Sequence, residues 1–315
     1  GYPSAPKYYI IKWLTDYVRE LGVDGYRADT VKHTEESVWG IFKKECDIAF
    51  EEWKKNNPEL VMDDNKFYMV GEVYNYNISG KLFFDFGDKK VNYFDYGFNS
   101  MINFEFKYNA NDNYEALFSK YSTILNNELA AFGVLNYVSS HDDSSPFDKE
   151  RNRVFESANK LLLSPGAAQI YYGDELARPL TVEGAVGDAN LRSFMNWDDI
   201  ENKEETKEVL QHWQKLNSFR TRHPSIGAGI HTMLNEQPYV FKRDYSEGDF
   251  YDAVVVGLDL QEGVKTVDVG DVFNEGDVVY YFYSKQEAIV EGGKENIDSS
   301  FDLVFIEKKS EILKK

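Results

Sequence analysis

The sequence holds a single cysteine, Cys46, so no intrachain disulfide can form. No apolar run is long enough to cross a membrane. Positive charge is scarce: 35 Lys and Arg stand against 54 Asp and Glu, a formal net charge of −19. That balance disfavours nucleic acid and anionic membranes as partners and favours a neutral or soluble ligand. There is no G-x-x-x-x-G-K-[ST] phosphate loop, no G-x-G-x-x-G fingerprint and no Cys/His zinc spacing, so nothing points to a nucleotide cofactor. Internal repeats and low-complexity segments are lacking too. No leader is visible, and the first residue is Gly1 rather than Met.

What is present suits a globular protein. At 315 residues the chain can fill a large domain and a smaller one, and 42% apolar residues is an ordinary share. Aromatics reach 16%; most should fill core, and some can stack on the apolar faces of sugars. Cys46 falls on the apolar face of a helix, where packing is its expected role.

Helices and strands alternate through the first two thirds. Pro6 suits a first helical turn, and Ile10, Trp13, Leu14, Tyr17, Val18 and Leu21 recur at helical spacing. Gly22 fits the helix stop, and Val23–Ala28 reads as a strand. Thr34 is the expected N-cap of a long helix reaching about Asn57, with Val38, Phe42, Cys46, Ala49 and Trp53 as its buried stripe. Further strands are expected at Phe67–Glu72, Asn92–Phe98, Gly133–Ser140 and Ala167–Tyr172. Helices are expected at Asn113–Glu128, Asp148–Leu163 and Glu204–Thr221. Such alternation implies a parallel α/β sheet, and the loops after its strands carry the Asp and His residues. From about Ser225 the pattern changes. Tyr239–Arg243, Ala253–Leu258, Val264–Val269, Val278–Tyr283 and Phe301–Ile306 read as short strands of an antiparallel β-domain, before a polar tail at Lys308–Lys315.

One stretch organises the rest: Gly22-Val23-Asp24-Gly25-Tyr26-Arg27-Ala28-Asp29-Thr30-Val31-Lys32-His33. Side chains alternate along a strand, so Arg27 and Asp29 share a face. The guanidinium keeps the acid ionised, and an ionised carboxylate at a strand end is a candidate nucleophile. A lone R-x-D would be an ordinary ion pair; this stretch has many more fixed positions. It resembles the second signature of the α-amylase family of glycoside hydrolases, G-x-D-G-x-R-x-D-x-x-K-H, with every fixed position met. The resemblance implies that Asp29 is the nucleophile, that Arg27 orients it, and that Lys32 and His33 line sugar sites on the leaving-group side. The K-H ending is similar to true α-amylases.

Glycoside hydrolysis needs two carboxyl groups flanking the scissile bond. The second candidate is Glu72, in Val70-Gly71-Glu72-Val73, at the end of the following strand. It resembles the acid/base of the family's third signature. Neighbouring strands lie about 4.8 Å apart, and retaining enzymes hold their carboxyls roughly 5–5.5 Å apart, so adjacent strand ends suit a retaining mechanism. Glu72 must then be protonated when substrate binds, through partial burial and the nearby Asp29. His141-Asp142, after the strand ending at Ser140, resembles the fourth signature. There Asp142 would stabilise the oxocarbenium-like transition state, and His141 would hold hydroxyls of the same ring. Ser140 stands where many members carry Asn. That Asn helps hold chloride in chloride-activated amylases, so chloride activation is not expected.

The family resemblance makes the Arg27–Asp29 strand the fourth of a (β/α)8 barrel. About five barrel strands are visible where eight are needed. The expected architecture is therefore a partial (β/α)8 TIM barrel over residues 1–224, followed by a C-terminal β-sandwich domain over 225–315. The N-terminal remainder of the barrel is expected upstream of Gly1 or on a second polypeptide. Gly173-Asp174-Glu175, Asp188, Arg192 and Trp197 resemble the family's last barrel strand and its loop, mainly in structural roles. Calcium is implied by resemblance alone, with the backbone carbonyl of His33 as one ligand; His212, His223 and His231 form no metal spacing. The expected activity is retaining endo-hydrolysis of α-1,4-glucosidic bonds in starch-like glucans, in an extracellular or periplasmic setting. A transglycosylase or α-glucosidase of the same family would use the same residues. An amylase-like non-catalytic sugar-binding protein would typically lack one of the three acids. A barrel isomerase or lyase would leave the Lys32-His33 pair unexplained.

Overall fold

The computed structural model describes residues 4–309. The chain divides into two compact units. The first runs to Phe106 and adds Glu128–Tyr137; the second holds Lys107–Asn127 and the chain from Val138 onward.

The first unit begins with helix α1 (Pro6–Leu21), which Gly22 ends at φ 68°. No other residue fits there, because a Cβ on Gly22 would lie 2.3 Å from the Trp53 indole. Strand β1 (Gly25–Ala28) follows, then α2 (Glu36–Asn56), β2 (Tyr68–Gly71), β3 (Ser100–Asn103) and β4 (Gly133–Asn136). The four strands lie in the order β1-β2-β3-β4, and every pair is parallel. The expected stripe of α2 is buried at Phe42, Cys46 and Ala49, while Val38 and Trp53 are only half-buried. Rings from three elements interlock beneath: Tyr26 stacks on Phe42 at 5.7 Å and Phe67 meets Tyr26 and Phe50 edge-on. Each fully buried ring contributes roughly 1.5–3 kcal/mol.

Several expectations shift. The N-cap of α2 is Glu35, which accepts the Ser37 N–H at 3.2 Å, rather than Thr34. Asn92–Phe98 is not a strand. The Asn92 side chain accepts the Phe94 N–H at 3.1 Å and Gly97 turns left-handed, so Tyr93–Tyr96 winds into a short 3-10 turn and the strand forms at Ser100–Asn103. The periodic face of α1 is largely outside: Tyr9, Ile10, Trp13, Tyr17 and Leu21 are each more than half exposed, and Ile11, Thr15 and Val18 are the buried ones.

The second unit contains helices α3 (Tyr114–Asn126), α4 (Val154–Leu162) and α5 (Glu204–Arg222), with a two-residue strand, β5 (Ala167–Ala168). The helix expected from Asp148 starts later because the Asp148 carboxylate accepts the backbone N–H groups of Asn152 and Arg153, both at 2.9 Å. After the short helix Pro224–Ala228 the chain is antiparallel: β6 (Ile230–Asn235), β7 (Tyr239–Glu247), β8 (Phe250–Leu258), β9 (Gly263–Asp268), β10 (Val278–Tyr281), β11 (Gln286–Ile289), β12 (Lys294–Ser299) and β13 (Val304–Lys308). A six-stranded sheet runs β11-β10-β13-β8-β7-β6, and β9 pairs with β12. Val255, Val279 and Ile306 of the sheet share one core with Val267 and Ile297 of the pair. The tail expected at Lys308–Lys315 lies, beyond Lys309, outside the described residues.

Three histidines of this unit are structural. Arg243, fully buried, donates through Nε to His231 Nδ1 at 3.0 Å, so His231 donates through Nε2 to Glu115 at 2.8 Å. Burial, and then the Arg243 charge, push the His231 pKa down to about 2, which keeps the ring neutral in this chain of contacts. His212 lies between the Tyr283 hydroxyl at 2.8 Å and Asn159 at 3.0 Å. His223 lies between Asp252 and Glu307, at 2.8 and 2.6 Å.

Candidate active site

The C-terminal ends of β1 and β2 bring Arg27, Asp29 and Glu72 together. Gly25–Ala28 pairs in parallel register with Tyr68–Gly71, so Ala28 faces Gly71 and the next residues leave the sheet side by side. Two backbone bonds continue the ladder: Glu72 N–H to Ala28 O at 2.8 Å and Val31 N–H to Glu72 O at 3.0 Å. The guanidinium of Arg27 spans both acids, with one nitrogen 2.5 Å from Asp29 Oδ1 and the other 3.1 Å from Glu72 Oε2. Gly71 is required next to Glu72, since a Cβ there would lie 2.9 Å from the Phe98 ring and 3.1 Å from Met101 Sδ.

The two carboxyls differ sharply in surroundings. The Asp29 side chain is 64% exposed and that of Glu72 only 7%. Burial raises the pKa of Glu72, and a hydrogen bond with Asp29 raises it further; the Thr30 N–H and the Arg27 charge oppose. The donor from Thr30, 3.2 Å from Glu72 Oε2, depends on an unusual backbone: Thr30 sits in the left-handed region at φ 49°. A threonine held there marks a locally strained segment beside the two acids.

Lys32 reaches the same region from the short 3-10 turn Val31–His33. Its Nζ donates to Tyr74 O at 3.2 Å and sits 5.1 Å above the Tyr74 ring and 5.4 Å above the Phe84 ring. His33 is exposed on that turn. Sequence reasoning missed Thr30 and Tyr74. Thr30 acts through its main chain, which no side-chain pattern reveals; an aromatic two residues beyond Glu72 was the available signal for Tyr74.

His141 and Asp142 belong to the second unit. His141 Nε2 lies 3.3 Å from Asp142 Oδ2, with side chains 49% and 37% exposed. Asp174 and Arg192 bear on this loop: the Ser139 hydroxyl lies 2.7 Å from both Asp174 oxygens, and Arg192 Nε donates to His141 O at 2.8 Å. Trp197 is exposed. For calcium the expectation leaves this chain one ligand, the His33 carbonyl, with the others outside it; among the described residues no three His, Cys, Asp or Glu side chains gather to hold a metal ion.

An exposed carboxylate and a buried carboxyl of raised pKa on one guanidinium can divide the work of nucleophile and acid. Comparison with known proteins gives a consistent likeness. A family model described as the α-amylase catalytic domain matches residues 4–229. The chain is 38% identical over 249 residues to the periplasmic α-amylase of Escherichia coli K12, covering 77% of this chain and 34% of that protein. It is 22% identical over 273 residues to a cyclomaltodextrinase from Bacillus sp, covering 83% of this chain and 43% of that one. It thus spans between a third and a half of the length of these curated relatives. Among solved structures, the α-amylase of Geobacillus thermoleovorans complexed with acarbose superposes with a TM-score of 0.65 at 17% identity, covering 97% of this chain and 64% of that one. AmyP in complex with maltose gives 0.62 at 15% identity, covering 98% and 68%. These last likenesses concern the fold.

Proposed function

Because the chain belongs to the α-amylase family of glycoside hydrolases, we propose that it carries part of the catalytic centre of a retaining endo-hydrolase of α-1,4-glucosidic bonds in starch-like glucans. Asp29 attacks the anomeric carbon. Glu72 gives its proton to the leaving glycosidic oxygen, then takes one from the water that releases the covalent intermediate. Asp142 stabilises the positive charge that develops on the ring, and His141 holds hydroxyls of the same sugar. Lys32, on its Tyr74 and Phe84 rings, and His33 bind the leaving-group sugars. The carrying observation is the Arg27 bridge: one guanidinium contacts the exposed Asp29 and the buried Glu72, and burial raises the pKa of Glu72.

The substrate class draws support from structural neighbours crystallised with maltose, maltotriose and acarbose. A location outside the cytoplasm draws support from the periplasmic relative. Among the described residues no helix is long and apolar enough to cross a membrane. That the remaining barrel strands pack here draws support from the edge of β1, unpaired among the described residues, and from the exposed apolar residues of α1.

In the full-length protein, Asp29→Asn and Glu72→Gln should each cut kcat on a maltooligosaccharide, Glu72→Gln by about 10²–10⁴-fold. Proton NMR of the first product should show the α-anomer. A wild-type rate in Asp29→Asn, or a β-anomer as first product, would remove this mechanism.

A further inference from the structure

The loop after β4 is held almost residue by residue. Ser139 is fixed through its hydroxyl by Asp174, which is itself paired with Arg151 at 2.7 Å. Arg192 fixes the carbonyl of His141 at 2.8 Å. Asp143 pairs with Lys107, and both side chains are nearly closed to solvent, at 10% and 4% exposure. The Asp143 carboxylate also accepts the Ser145 N–H at 3.3 Å. Asp142, the one acid of the loop left open, has His141 as its neighbour.

Lys107 comes from the one-turn helix Phe106–Asn109, far from Asp143 in sequence, and its Nζ lies 4.7 Å over the Tyr108 ring. A buried ion pair is a poor source of stability, because desolvation consumes most of its attraction. What such a pair does provide is a single geometry, since neither partner can leave without stranding the other's charge. Here that geometry is imposed on the residue directly after Asp142.

We propose that Lys107 and Asp143 are positioning residues, a buried clamp that sets the pitch of the His141–Asp142 loop so that Asp142 meets the reacting glucosyl ring. The clamp rests on the reading of Asp142 as the transition-state stabiliser. Its contribution is orientation: misplacement of a catalytic group by about 1 Å costs on the order of 10²-fold in rate.

The test compares Lys107→Met, Asp143→Asn and the double variant Lys107→Met/Asp143→Leu in the full-length protein. Readouts are the thermal midpoint, kcat and KM on a nitrophenyl maltooligosaccharide, and amide hydrogen exchange over residues 139–145. The single variants leave one buried charge without its opposite charge and lose both stability and rate. The double variant replaces the pair with apolar groups and recovers the midpoint. Under the clamp its kcat stays about 10- to 100-fold low with KM within about twofold, and exchange over 139–145 is faster than in wild type. Recovery of kcat together with the midpoint, or unchanged exchange, would overturn it. Asp142→Asn is the separate control: full activity there sinks the catalytic reading, while the exchange data still decide whether the pair fixes the loop.

Discussion

Glu295 is the most isolated acid of the β-domain. It is fully buried on β12, and its polar neighbour is the buried Tyr281 hydroxyl, which opposes the effect of burial on the carboxyl. Burial pushes its pKa from 4.5 up to about 7. The unfolded carboxyl ionises near 4.5 and the folded one only near 7, so the protonated form favours the fold. That contribution is complete below pH 4.5, fades as the pH rises, and is gone above about 7; the interval corresponds to about 3 kcal/mol. Between about pH 5 and 8 the wild-type thermal midpoint should therefore fall relative to that of Glu295→Gln. Parallel curves for the two proteins would mean that the carboxyl does not titrate in this range. Residues at the candidate site differ in how far sequence exposes them. Arg27, Asp29 and Glu72 are legible because strand alternation and strand order bring them together. Lys107 is not, because it meets Asp143 only through tertiary packing.

The C-terminal end of α1 is legible because one residue decides it. Gly22 stops α1 because its φ is 68°. Asn113 caps α3, accepting the Ala116 N–H at 2.8 Å. Asn113→Ala should lower the denaturant midpoint by the equivalent of roughly 1 kcal/mol without changing the slope of the transition, and Asn113→Gly by a few tenths. Equal losses for both would assign the effect to something other than the cap. Strands were harder. Lys294–Ser299 is not among the expected strands, yet its burial alternates strictly, with Glu295, Ile297 and Ser299 inside. Two polar residues at inward positions hide the period on which the reading depends. In α1 the failure has the opposite sign: the helix is where periodicity puts it, but most of its large apolar residues have no cover among the described residues.

At the scale of the molecule, the passage from alternating helices and strands to antiparallel strands was visible, because the hydrophobic period changes from helical to two. The grouping of contacts was not. Helix α3 belongs with the β-domain strands, where Phe118 meets Phe241 at 5.3 Å and Glu115 meets His231, and no local pattern encodes that association. The proposed boundary between residues 224 and 225 lies close to the change of strand type, inside the second unit. The net charge of −19 repels itself. Raising salt from about 0.1 M to about 1 M shrinks the screening length from about 10 Å to about 3 Å and should raise the thermal midpoint. A neutral glucan has no charge to screen, so KM should stay within about twofold over the same range. A tenfold change in KM would point to a charged substrate.

The contact from Thr30 to Glu72 is made by a peptide group, so almost any codon at position 30 preserves it. Only proline deletes the donor outright. The selective pressure there falls on backbone handedness: glycine or asparagine would relax the turn, valine or isoleucine would fight it. The donor that steadies the ionised form of Glu72 against its burial is thus inherited from the path of the main chain, and a library of side-chain variants at that position would largely pass it by.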